Sequence, residues 1–207
     1  LNLNQATSEL NKIDERFQNL KNIQNVFLNC FFNSPNTENL FIKLTSDEKI
    51  DFSRYKYFFA SYVANSKKIG EAKKIVKSAI QLYPRNLLLN QYKLDLDKNK
   101  NISVFDCKKE AHVTAEILYI TANALSSQSI YTLSNFYLNL AKFLNDDFHS
   151  HDTLLAENFY KTNNFSKAKK IYNNLSKQGK AFSWYSAKQL ANLSLFFGGG
   201  FSTNSLY

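Results

Sequence analysis

The chain has 207 residues, of which 44% are apolar and 21% charged, with a formal charge of +9 and a pI near 9.4. That composition is globular rather than disordered, and no run reaches the length of about 18 apolar residues that a membrane helix needs. Five Gly and two Pro exclude collagen-like and turn-rich all-β chains and leave long helices with short joints.

Phe17, Leu20, Ile23 and Phe27 are spaced three, three and four apart, which predicts one face of a helix. Ser34-Pro35-Asn36 breaks it. A short helix with Leu40, Phe41 and Leu44 follows and ends at Thr45-Ser46-Asp47. An aromatic-rich helix is predicted over 53–65, then a joint at Lys67-Lys68, then a helix over 70–82 that Tyr83-Pro84 stops. A short helix fits 86–96. Asp97 to Asn101 is polar without apolar spacing and reads as a linker, and 101–105 allows a short extended piece. Helices resume near Lys108 and run to the C-terminus, with breaks near Ser127, Asp146, Asn163, Gln178 and Gly198.

Of the 26 basic residues, only Arg16, Arg54 and Arg85 are Arg. Bidentate phosphate and base recognition leans on Arg, so the excess of Lys reads first as a solvated surface. Lys67-Lys68, Lys73-Lys74, Lys108-Lys109 and Lys169-Lys170 keep two alternatives open: nucleic acid, and peripheral attachment to an anionic membrane. Cys30 and Cys107 form no CxxC pattern. Cys30 is expected to be a small core residue and Cys107 to be exposed. There is no Met, even at position 1, so a processed form or an excised piece of a longer protein is expected.

Chemistry has few footholds. Asp146, Asp147, His149, His151 and Asp152 form a cluster rich in metal-ligand types, but it falls at a turn, where such residues cap helices and His is solvated. His112 stands alone and is expected on a helix surface. Gly198-Gly199-Gly200 lacks the Lys of a phosphate loop, and no Ser lies in a nucleophile elbow. No catalysis, metal, cofactor or small-molecule substrate is expected.

The joints recur, which points to internal repeats. Segments 53–86, 115–148 and 149–182 are equal in length. Small residues recur in them at Ala60, Ala72, Ala79, Ala122, Ala141, Ala156 and Ala168. Large ones recur at Phe59, Leu125, Phe159, Phe165 and Tyr172. This pattern resembles the tetratricopeptide repeat family, and 115–193 is similar to long repeat proteins of proteobacterial cell envelopes. Lys67 and Ser129 stand where the family has a joint Gly, Asn163 is a tolerated substitute, and Ser134 replaces an Ala. The remaining spans read as degenerate hairpins (1–52), a partial repeat and linker (87–110) and a truncated repeat (184–207).

The resemblance implies an all-α, right-handed superhelical solenoid of antiparallel helix pairs. It implies a non-enzymatic scaffold that binds a peptide or partner subunit on its concave first-helix face, in a bacterial periplasm or envelope or in a cytoplasm. By repeat register that face carries Arg54, Tyr57, Ser61 and Asn65, then Glu116, Tyr119, Asn123 and Ser127. It continues with Thr153, Glu157, Tyr160 and Lys161, then Tyr185, Lys188 and Asn192. Tyr supplies a broad apolar face with a polar tip, and Asn meets a peptide backbone as donor and acceptor. Lys188 and Asn192 also have the spacing of a terminal-carboxylate clamp. The last repeat stops before its second helix, so Leu190, Leu193, Phe196 and Phe197 are expected to be open, covered by further repeats or by another chain.

Overall fold

The computed structural model of the chain describes residues 2–47, 50–100, 102 and 104–198. It is all-α: the described residues form eleven α-helices and no strand. They fall into two compact units, 1–114 and 115–207.

The first unit holds α1 (Leu3–Asn11), α2 (Gln18–Phe31), α3 (Thr37–Thr45), α4 (Ser53–Asn65), α5 (Ile69–Leu82) and α6 (Leu87–Asp97). Each packs on the next in chain order, and α6 also meets α4. Asn86 caps α6 by accepting from the Leu89 amide at 3.0 Å, and its own amide donates to Ser53 at 2.8 Å. That pair ties the start of α6 to the start of α4. Phe17 is exposed, and it lies in a 3-10 turn over Glu15–Phe17 that precedes α2. Ile23 and Phe27 of the expected face are buried.

Among the described residues between α6 and Glu110 there is no helix. Instead Phe105 inserts between Phe27 and Phe58, with ring centroids 5.1 and 4.1 Å away. Two residues on, Cys107 is joined to Cys30 by a disulfide, with Cα atoms 5.9 Å apart. Cys30 is the core residue expected, whereas the expectation of an exposed Cys107 is corrected: it too is buried, and the two are bonded to each other. The bridge joins positions 77 residues apart, a constraint worth about 4 kcal/mol against unfolding.

α7 (Glu110–Ser127) starts in the first unit and supplies residues 115–127 to the second, which adds α8 (Tyr131–Leu144), α9 (Ser150–Lys161), α10 (Phe165–Leu175) and α11 (Lys180–Gly198). Its core gathers Ala122, Leu138, Leu154 and Leu155, with Tyr119, Tyr137, Phe159 and Ile171 packed around them.

One register runs through α4, α7 and α9. Ala60, Ala122 and Ala156 hold equivalent places in these helices, and each is fully buried. The second helices keep the same register. Ala72, Val76 and Ala79 of α5 match Ser134, Leu138 and Ala141 of α8, and then Ala168, Tyr172 and Leu175 of α10. Left-handed backbone recurs at near-regular intervals, at Asn33, Lys67, Asn99, Ser129 and Asn163, each just past a helix end. A non-Gly residue there costs about 1 kcal/mol, least for Asn.

Candidate functional site

The second unit exposes one side of α7, α9 and α11. Asn123, Lys161, Lys188 and Asn192 are exposed there, and Tyr119, Thr153, Glu157, Tyr160 and Tyr185 are half-buried. The Tyr185 hydroxyl donates to Glu157 at 2.6 Å and joins α11 to α9. Burial first, then the charge of Glu157, holds the Tyr185 hydroxyl well above its ordinary range. Tyr172, whose ring centroid lies 5.9 Å from that of Tyr185, is pushed up to about 12, mainly by burial. Both therefore stay neutral at any physiological pH and act as hydrogen-bond groups. The Lys161 ammonium lies 5.7 Å from the Tyr131 ring, at the rim where α9 meets the start of α8.

Beneath this face lies a closed polar network. Ser126 donates to Asn158 Oδ1 at 2.6 Å. Asn158 Nδ2 donates to Ser134 and to Asn135 Oδ1, both at 2.9 Å, and Ser134 donates to the Ala122 carbonyl at 2.7 Å. Asn158 and Ser134 are fully buried. Ser134 thus keeps the small volume that the helix crossing needs and supplies a hydroxyl that Asn158 requires. The network pins α7, α8 and α9 to one another, which fixes the spacing of the side chains above it.

Burial takes several of the sequence-predicted residues off any contact surface. Tyr57, Ser61 and Glu116 are all buried. Tyr57 meets Tyr92 with ring centroids 5.1 Å apart, and desolvation pushes its hydroxyl upward. Helix α6 supplies Tyr92, so α6 covers what would be an open row on α4. Arg54 is half-buried with its guanidinium 5.4 Å from the Phe58 ring, and Asn65 is exposed. The candidate residues thus separate into a covered set, Tyr57 and Ser61 on α4 with Glu116 on α7, and an exposed or half-buried set that is Arg54 and Asn65 on α4 and the remainder on α7, α9 and α11.

The histidine cluster is also reorganised. His151 is buried and packs between Tyr119 and Phe148, so it is a core side chain and not a solvated one. Asp152 accepts from Lys142 at 2.6 Å, with His149 Nδ1 3.8 Å away. Burial opposes its charge, but the hydrogen bonds and charges of His149 and Lys142 outweigh that and hold the carboxyl below its ordinary value. Among the described residues no group of three His, Cys, Asp or Glu is placed to hold a metal ion. His112 is half-buried beside Phe105, and its Nδ1 accepts from the Asp106 amide at 3.0 Å.

On α11, Leu193 is buried and Leu190 half-buried, while Trp184 and Leu195 are 80% and 74% exposed. The open apolar side is therefore offset from the expected one. The Phe196 and Phe197 side chains and all residues from 199 on lie outside the described residues.

The first unit has an opening that the sequence pattern did not flag. A cleft of about 720 Å³ is lined by Leu10, Ile13, Leu28, Phe31 and Val113, with Glu9 and Glu110 among its walls. Gln24 also lines it, and its Nε2 is buried with no hydrogen-bond partner among the described residues. Of the Lys pairs, Lys68 is bound to Glu38 at 3.0 Å and Glu71 at 3.7 Å, which occupies one cation that a nucleic acid would need.

Compared with protein-family models, curated proteins and solved structures, the chain matches none.

Proposed function

We propose that the chain is a non-enzymatic scaffold of tetratricopeptide type, a right-handed solenoid of antiparallel helix pairs. It holds a peptide or partner subunit along the first-helix side of its second unit. The observation that carries this reading is the row formed by exposed Asn123 and half-buried Tyr119, Glu157, Tyr160 and Tyr185 on successive first helices. Such a row offers flat apolar rings interleaved with amide and carboxylate groups, which suits an extended backbone. The shared register of Ala60, Ala122 and Ala156 supports the repeat assignment. The network around Asn158 keeps the row preformed, so little ordering entropy is lost on binding. The Cys30–Cys107 bond favours an oxidising compartment such as a periplasm.

A photo-crosslinking side chain placed at Asn123, and separately at Lys170 on the far side of the unit, tests this in source cells. The expected result is a protein adduct at Asn123 that Tyr160→Ala reduces several-fold, with none at Lys170. Adducts only at Lys170, or only with nucleic acid, would overturn it.

A further inference from the structure

α8 carries an exposed apolar stripe on the side opposite its buried Ser134, Leu138 and Ala141. Leu133 is 44%, Phe136 56%, Leu140 38% and Phe143 86% exposed. Together they expose apolar surface on the order of 400 Å², the size of the largest apolar patch on a typical monomer, which is often functional. Their spacing of three, four and three is that of a coiled-coil seam.

We infer that this stripe is a two-fold interface with a second copy of the chain, formed by antiparallel pairing of α8 with α8. The order Leu, Phe, Leu, Phe is self-complementary when one helix is reversed. Leu133 then lies opposite Phe143 of the other copy, and Phe136 opposite Leu140, so each large ring meets a smaller side chain. That is the reciprocity a two-fold contact demands.

Charge selects the occupant. Thr132 and Asn139 flank the stripe on one side, Ile130 and Tyr137 on the other, and none is charged. The one charged residue within α8, Lys142, is paired with Asp152 at 2.6 Å. Two copies can therefore meet here without like-charge repulsion, although each carries +9. A membrane surface or a nucleic acid would instead select flanking Lys or Arg, and the positions that flank the stripe on α8 hold none. Two such patches fall at the low end of specific interfaces, so a weak, concentration-dependent dimer is expected.

Both natural cysteines are bonded to each other, so an introduced thiol reports alone. In an antiparallel pair, position 133 lies level with position 143 of the other copy. Two copies of position 133 stand about 15 Å apart along the axis, beyond the reach of a disulfide. Mixing Leu133→Cys with Phe143→Cys under oxidation should give the mixed dimer at least ten-fold over either homodimer. Sedimentation should show growth of the wild type between about 10 µM and about 500 µM, lost in Phe136→Lys with helicity intact. Homodimers of either single variant forming as fast as the mixed one would overturn the pairing. So would a wild type that stays monomeric throughout, including one whose Phe136 is needed only to bind anionic vesicles.

Discussion

Helices α8 and α10 share one pattern of buried positions. Their buried positions coincide at a constant sequence offset, Ser134 with Ala168, Leu138 with Tyr172 and Ala141 with Leu175. Their outward positions coincide too, yet Leu133, Phe136, Leu140 and Phe143 of α8 correspond to Lys167, Lys170 and Asn174 of α10 and to Lys177 just past its end. The matching positions of α5 are Glu71, Lys74, Ser78 and Gln81, all exposed. The inner pattern is therefore set by packing, which tolerates few residue types at a helix crossing. The outer pattern is free of that constraint, and apolar groups there cost solubility unless something covers them. The contrast separates what builds the unit from what the unit presents.

The sharpest break in the comparison comes from cutting one inner and one outer side chain of α8. Leu138→Ala should cost about 2–5 kcal/mol in urea unfolding, because Leu138 is fully buried. Phe143→Ala, a larger truncation, should change stability by less than about 0.5 kcal/mol, because the ring is 86% exposed. Equal losses would mean that the outer stripe is core.

Asn158→Ala addresses the polar network that α8 shares with α9. It strands Ser126 and Asn135, and it removes the donor that Ser134 accepts from. A loss of about 2 kcal/mol is expected by thermal or chemical unfolding. No measurable loss would show that the network is dispensable.

The joints give a smaller effect of opposite sign. Ser129 and Asn163 hold equivalent left-handed positions. Ser129→Gly should stabilise the chain by up to about 1 kcal/mol, and Asn163→Gly by less, since Asn tolerates that backbone better. A destabilised Ser129→Gly would place the joint outside the left-handed region.

The smallest effect is electrostatic and belongs to the α8–α9 contact, which has no counterpart on the outer face. The depressed Asp152 carboxyl binds its proton at lower pH in the folded chain than in the unfolded one. Its contribution is therefore fully present above the ordinary carboxylate value of 3.8 and is lost as pH falls through the folded value. Asp152→Asn should remove that component of the acid unfolding curve. An unchanged curve would leave the Lys142 pair without energetic weight.

Periodicity made the helices, the joints and the buried small residues legible, because each follows from local spacing or backbone strain. The disulfide was not legible, since a pairing across 77 residues depends on Phe105 folding back onto α2 and α4. Tyr57, Ser61 and Glu116 were assigned to an open face because repeat register shows which way a side chain points and not what covers it. α6 covers α4 with Tyr92, and His151 is drawn inward by Tyr119 and Phe148 for the same reason. The apolar outer face of α8 was hidden differently: Leu and Phe in a helix read as core until the inner face is seen to be complete.

Hydrogen exchange of the intact chain at low and high concentration tests the central distinction most directly. If the two outer faces differ as described, exchange slows on concentration over 131–144 and stays unchanged over 165–175. Equal slowing over both helices, or none over 131–144, would contradict the account.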